Sequence, residues 1–154
     1  IHKPPAGRQH VGVPPQILSV IGNAIDGARL NSLAAEPVPR ELPSDYFIGM
    51  GRLVPNKNFS MMLQAYAKVP KAPPLVILGE GPEEAALSAQ ANELGILERL
   101  HLLGFVDNPY PIIKSARALV SSSLAEGFPN ALAEAMALGC PVIATDCRSG
   151  PPTF

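Results

Sequence analysis

Glu126 and Glu134 stand eight positions apart in the run Ser121-Ser122-Ser123-Leu124-Ala125-Glu126-Gly127-Phe128-Pro129-Asn130-Ala131-Leu132-Ala133-Glu134-Ala135-Met136. Carboxylates accept hydrogen bonds from hydroxyls. Pro129 suits the first position of a helix, where its missing N–H costs nothing. Gly139 followed by Pro141 ends that helix. At about 100° per residue, Leu132 and Met136 share one face, with Asn130 and Glu134 roughly opposite. Glu134 is therefore directed away from the apolar stripe, toward the end where the loop carries Glu126. A helix N-terminus attracts anions, so two acids and a helix start suit a ligand bearing both phosphates and hydroxyls, such as a nucleotide sugar. A lone helical glutamate is usually just solvated. The shared loop–helix junction, with its Gly127-Phe128-Pro129-Asn130 spacer, raises this pair above that reading. Helical rise from Pro129 to Glu134 is about 7–8 Å, which with the loop puts the two backbones on the order of 10 Å apart. A retaining glycosidase pair needs ~5 Å between carboxyls, so two grips on one extended ligand fit better.

Arg52 and Lys57 provide the second signal, in Gly51-Arg52-Leu53-Val54-Pro55-Asn56-Lys57-Asn58. A guanidinium clamps two phosphate oxygens at once, and an ammonium adds a mobile point charge. Alone, the loop would read as two solvated cations; opposite two acids, it reads as a phosphate grip. Gly79-Glu80-Gly81-Pro82 has part of a dinucleotide fingerprint but lacks the third glycine and the downstream acid. It reads as a tight turn with Glu80 in solvent. Gly104-Phe105-Val106 offers backbone groups and an apolar floor to a nucleobase, though Phe105 by itself would be core packing. His101, inside an apolar run, reads as structural.

The elements that must position these residues follow from apolar runs and their punctuation. Residues 1–16 hold no period, 16–21 suggest a strand, 22–27 are turn-rich, and 31–44 look like a linker with Pro37, Pro39 and Pro43. Strands are expected over 46–50, 74–78, 100–103, 118–121 and 141–145. Between them the spacing predicts one helix after an Asn58 N-cap, carrying Phe59, Met62, Leu63 and Tyr66. A second opens at Pro82, with Leu87, Ala91 and Leu94 on one face, and ends at Gly95. A third spans 109–115, and a fourth carries Glu134. Alternating strands and helices indicate a parallel sheet covered on both faces, as does the unbroken apolar strand Leu75-Val76-Ile77-Leu78. Ligands of such sheets sit beyond the carboxyl ends of the strands, where the loops 51–57, 79–82, 104–108 and 122–129 all fall.

A length of 154 residues suits one domain. A formal charge of −1 gives no basic footprint for nucleic acid, and no apolar run approaches the ~20 residues of a membrane span. No secretory signal is read. Cys140 and Cys147 flank a strand without metal-ligand spacing or a nearby histidine, as expected of reduced thiols in a cytoplasmic protein.

Glu126-x7-Glu134, preceded by Gly49-x-Gly51-Arg52 and Lys57, resembles the C-terminal donor-binding domain of the GT-B glycosyltransferases of family 4 (group 1 glycosyltransferases), a large retaining class. The likeness continues through Leu78-Gly79-Glu80-Gly81-Pro82, Leu103-Gly104-Phe105-Val106 and the run from Gly139 to Asp146. Ile21-Gly22-Asn23-Ala24-Ile25-Asp26 resembles the family's lead-in to this domain, so the likeness covers about residues 20 to 150. It implies an α/β fold, a Rossmann-like parallel sheet with helices on both faces, forming one lobe of a GT-B fold. Residues 1–16 would be an irregular inter-lobe linker and 17–154 a donor-binding domain truncated at its C-terminal end. The implied activity is transfer of a hexose, with retention, from a nucleoside-diphosphate sugar to a glycan or lipid-linked acceptor, with the isolated fragment inactive. Arg52, Lys57 and Glu126 would be catalytic: the two cations hold the diphosphate, and Glu126 binds hydroxyls of the transferred sugar. Glu134 would take the ribose hydroxyls. Gly127, Phe128, Pro129 and Asn130 would offer backbone amides, Gly51 would flank the diphosphate, and Phe105 and Val106 would face the base. The resemblance implies no metal and no cofactor, and the donor is expected to be a UDP-sugar rather than a GDP-sugar. Expected partners are the nucleotide sugar and an N-terminal acceptor-binding lobe, through which peripheral membrane association would occur; nucleic acid is not among them. A non-catalytic sugar-nucleotide binding module is the alternative. An epimerase or phosphorylase of the same fold would need a catalytic histidine or cofactor lysine that is not evident here.

Overall fold

Apolar runs of three or four residues, bounded by turn formers, make the framework: β1 (Phe47–Met50), β2 (Leu75–Leu78), β3 (Leu100–Leu102), β4 (Ala118–Ser121) and β5 (Val142–Ala144). The helices α1 (Gly27–Leu33), α2 (Phe59–Ala67), α3 (Glu84–Glu93), α4 (Tyr110–Ser115) and α5 (Asn130–Ala137) precede or separate them. This is the arrangement in a computed structural model that describes residues 23–38 and 41–147; the strand expected over 16–21 lies outside them. All five strands are parallel, in the order β3-β2-β1-β4-β5. The chain runs outward from β1 to β3, returns beside β1 as β4, and leaves the other way as β5. The order therefore reverses between β1 and β4, the point at which such sheets open a crevice at their carboxyl end.

Burial on both faces holds the sheet, as the apolar strands require. β2 is buried at every position, and its side chains alternate between two cores. Leu75 and Ile77 pack with Phe59 and Leu63 of α2 and Leu87 of α3. Val76 and Leu78 join Leu30 of α1, Ile112 and Ile113 of α4, and Leu132 and Ala135 of α5. Each buried Leu or Ile contributes roughly 1.5–3 kcal/mol, and a one-residue slip would turn every one of them to the wrong face. Tyr46, just before β1, donates its hydroxyl to the Ile112 carbonyl at 2.6 Å. Burial pushes its pKa up to about 12, so this link to α4 persists at any ordinary pH.

Four local expectations are corrected. Residues 27–33, which bridge the end of the expected turn-rich segment (22–27) and the start of the expected linker (31–44), form α1, capped by Asp26, whose Oδ1 accepts from the Arg29 N–H at 3.0 Å. Leu30 is its buried position and Ala34 is buried at its C-cap, and a single i,i+4 apolar pair is too short a periodic signal. Asn58 precedes α2 but makes no side-chain cap bond; at φ 51° and ψ 43° it closes a one-turn 3-10 helix over Pro55–Lys57. Asparagine tolerates that left-handed conformation. In α3, Leu94 is exposed and Ile96, beyond the helix, fills the core. α5 begins at Asn130, one residue later than expected, and buries Leu132 and Ala135, with Leu138 buried at its C-cap, while Met136 is 41% exposed.

Candidate functional site

Two loops meet at the reversal point. Residues 51–58 follow β1 and 122–129 follow β4, and since β1 and β4 are hydrogen-bonded neighbours the loops emerge side by side. They are stitched together. The Leu124 N–H donates to the Asn56 carbonyl and the Asn56 side chain to the Ala125 carbonyl, each at 2.8 Å. Ser122 donates its hydroxyl to the Lys57 carbonyl at 2.8 Å. Lys57 Nζ lies 2.5 Å from Glu126 Oε1, which also accepts from the Ser123 hydroxyl at 2.6 Å. Thr145 and Cys147, beyond β5, both donate to the Ser123 carbonyl. Burial by itself would push the Glu126 carboxyl up, but the hydrogen bonds from Lys57 and Ser123 and the Lys57 charge outweigh it and hold the group below its ordinary value. Glu126 is thus an ionised acceptor with a fixed oxygen.

Beside this junction a cavity of about 790 Å³ opens over the carboxyl ends of β1 and β2 and the loop after β3. Gly51 and Arg52 border it from the loop after β1, Glu80 from the turn after β2, and Phe105 and Val106 from the loop after β3. Arg52 is exposed, free to turn toward an anion. Phe105 is 67% exposed and so is not core packing, whereas Val106 packs partly into the core behind it. An exposed aromatic ring beside backbone groups is a surface on which a flat base can lie.

Glu134 sits elsewhere. It lines a smaller cleft of about 260 Å³ with Asp26 and Arg29 from the start of α1 and Tyr110 from α4. Tyr110 borders both spaces and so stands between them. Desolvation raises the Glu134 carboxyl above its ordinary value, and burial raises the Tyr110 phenol, helped by the nearby Glu134 charge. Gly127, Phe128, Pro129 and Asn130 form the lead into α5 and line neither space; the Asn130 carboxamide accepts from the Asn23 side chain at 3.0 Å. The structure therefore joins Lys57 to Glu126 directly. It gathers Gly51, Arg52, Phe105 and Val106 around one cavity, and sets Glu134 in a neighbouring cleft.

Sequence reasoning gave no role to Asn56, Ser122, Ser123 or Tyr110. Ser122 and Ser123 are the buried polar side chains among the described residues. Three serines in succession after an apolar strand were the available signal. Glu80, read as a solvated turn residue, is exposed but accepts a hydrogen bond from the Phe105 N–H at 3.3 Å.

Residues 35–154 match the family model described as glycosyl transferases group 1. The N-acetylgalactosamine-N,N'-diacetylbacillosaminyl-diphospho-undecaprenol 4-alpha-N-acetylgalactosaminyltransferase of Campylobacter jejuni is 35% identical over 142 residues, 92% of this chain and 38% of that protein. The apo form of the lipopolysaccharide outer core galactosyltransferase WaaB superimposes with a TM-score of 0.71 at 31% identity, over 91% of this chain and 40% of that one. HepE of Anabaena in complex with UDP gives a TM-score of 0.63 at 25% identity, over 68% of this chain and 30% of that one. The chain thus spans well under half the length of these relatives. It belongs to the group 1 glycosyltransferases and has the Rossmann-like fold of their GT-B class.

Proposed function

We propose that this chain is the C-terminal donor-binding domain of a family 4 enzyme. In this reading the enzyme transfers a hexose, with retention and without a resident metal, from a UDP-sugar to a glycan or lipid-linked acceptor. The observation that carries the reading is the contact between Lys57 and Glu126 across the β1–β4 reversal point, beside the cavity that Arg52 borders. In the transfer, the bond from the anomeric carbon to the diphosphate oxygen breaks and its electron pair leaves with the diphosphate. An acceptor hydroxyl oxygen bonds that carbon, and its proton passes to the departing diphosphate. Negative charge grows on the leaving group, and fixed cations beside it lower the barrier; Arg52 and Lys57 supply them. Glu126, ionised and held in place, accepts from hydroxyls of the transferred sugar. Glu134 takes the ribose hydroxyls, and the backbone of residues 127–130, with amides at Gly127, Phe128 and Asn130, meets the sugar and phosphate. Phe105 and Val106 face the base.

The preference for uridine over guanosine rests on HepE, a relative at 25% identity seen in complex with UDP. The acceptor site belongs to an N-terminal lobe, so this chain alone turns over no sugar. Among the described residues no helix is long and apolar enough to cross a membrane. We assign membrane contact to the other lobe, as peripheral association, and the activity to the cytoplasm. Calorimetry with UDP and GDP tests the assignment: Lys57→Ala and Glu134→Ala should both weaken UDP binding. Equal affinity in all three proteins would overturn the roles. Donor binding without transfer by a protein carrying both lobes would make this a sugar-nucleotide binding module instead.

A further inference from the structure

The turn after β2 is the hub of the larger cavity. The Gly79 N–H donates to the Gly104 carbonyl at 2.8 Å, and the Leu53 N–H donates to the Glu80 carbonyl at 2.9 Å. A Cβ on Gly79 would lie 2.0 Å from the Gly51 carbonyl oxygen, and one on Gly81 would lie 2.3 Å from that of Leu53. Residues 79–81 are therefore pressed onto the Arg52 loop on one side and bonded to the Phe105 loop on the other, and Glu80 carries the only side chain among the three. Its Oε1 accepts the Phe105 N–H at 3.3 Å. At its far end the same loop is held by Asn108, whose side-chain amide donates to the Leu33 carbonyl and to Glu36, each at 2.9 Å. Residues 105–107 thus span two anchors, and the Glu80 carboxylate is the side chain of the nearer one.

An acid beside a pocket that takes a diphosphate repels its ligand. Its presence calls for an offsetting role, and the bond to the Phe105 amide supplies one. We propose that Glu80 is a positioning residue that fixes the Phe105–Val106 wall for the nucleoside part of the donor. This rests on the donor-site reading above. The role needs an acceptor oxygen rather than a charge, so Glu80→Gln preserves it and Glu80→Ala removes it. The wall and the phosphate grip stand on different loops, after β3 and after β1, so the loss falls on the nucleoside and spares the phosphates.

Two measurements on the full chain test this. Hydrogen exchange read at the Phe105 amide needs no ligand: protection should persist in wild type and Glu80→Gln and fall in Glu80→Ala. Calorimetry compares UDP with inorganic pyrophosphate. Glu80→Ala should weaken UDP on the order of tenfold, about the worth of one hydrogen bond, with pyrophosphate binding unchanged or tighter. Glu80→Gln should bind UDP within about threefold of wild type. Equal Phe105 protection in wild type and Glu80→Ala overturns the proposal, as does a parallel fall in UDP and pyrophosphate affinity. Failure of the wild type to bind UDP would sink the donor-site reading instead, and the exchange measurement would still decide the role of Glu80.

Discussion

Replacing Glu126 by glutamine should separate two parts of donor binding that the Lys57–Glu126 contact couples. Lys57 Nζ lies 2.5 Å from Glu126 Oε1, with the two side chains 27% and 16% exposed. A diphosphate must draw the ammonium away from that carboxylate or share it. Exposed ion pairs are worth ~0–1 kcal/mol and hydrogen bonds to charged groups ~1.5–3 kcal/mol. This partly buried pair falls between, at about 1–2 kcal/mol, or roughly 5- to 30-fold in a dissociation constant. Glutamine keeps an acceptor for Ser123 but drops the charge that competes for Lys57. Glu126→Gln should therefore bind UDP up to that much more tightly. A UDP-hexose loses the ionised acceptor for its sugar hydroxyls, so its affinity relative to UDP falls. Lys57→Met does the opposite to UDP, weakening it on the order of 10- to 100-fold by loss of a charge-assisted bond. Titration calorimetry of all three proteins at one ionic strength near neutral pH reads these differences. If Glu126→Gln weakens UDP as strongly as Lys57→Met does, the carboxylate aims the lysine at the phosphates rather than competing for it, and the reasoning fails.

Gly79→Ala places a Cβ 2.0 Å from a backbone oxygen at a φ of +131°. Strain and overpacking of ~1–3 kcal/mol each should lower the melting temperature on the order of 10 °C; an unchanged melt would rule out the close approach. Glu134, whose carboxyl burial raises, contributes stability that is complete below its unfolded value and lost as pH rises through the folded one. Glu134→Gln should accordingly melt higher than wild type near neutral pH and lose that advantage in acid, while binding UDP more weakly. Glu126 has the reverse sign: its carboxyl is held below the ordinary value, so its contribution is present above the unfolded value and lost as pH falls through the folded one. Glu126→Gln should be the less stable protein near neutral pH and match wild type in acid, as read by denaturant unfolding across the two ranges.

The strands were legible because a sheet buried on both faces needs unbroken apolar runs, and Leu75-Val76-Ile77-Leu78 can be little else. The helix faces were less so. In α3 and α5 the buried set is decided by how closely each turn approaches the sheet, and short helices can bury an i,i+3 pair such as Leu132 and Ala135 as readily as an i,i+4 pair. Lys57 and Glu126 were identifiable by type and loop. Their contact was not, since it joins residues 69 positions apart and depends on β4 returning beside β1. The placement of Glu134 beside α1 could not be read because the α1 segment carries no helical signal and its end overlaps the expected linker.

The reversal between β1 and β4 also explains why opposite charges are paired there. The helices after β1 and β4 pack on opposite faces of the sheet, so the two loops, stitched side by side, lead away in opposite directions and leave Lys57 and Glu126 only partly buried at its carboxyl end. Lys57 and Glu126 satisfy one another and draw in the buried hydroxyl of Ser123. Partly buried ion pairs add little net stability, because desolvation offsets their attraction, yet removing one partner strands the other. Lys57→Met should therefore cost about 1–3 kcal/mol, since it leaves the Glu126 carboxylate supported by Ser123 alone. The neutral pair Lys57→Met with Glu126→Gln should return to within about 1 kcal/mol of wild type, so the two changes couple strongly in a double-mutant cycle. UDP affinity should stay low in the double variant, because binding needs the ammonium itself. Denaturant unfolding and calorimetry on the four proteins of the cycle decide the matter. A double variant as unstable as Lys57→Met would show that the lysine supports the fold by packing rather than by charge, and that the pair is not maintained for a ligand.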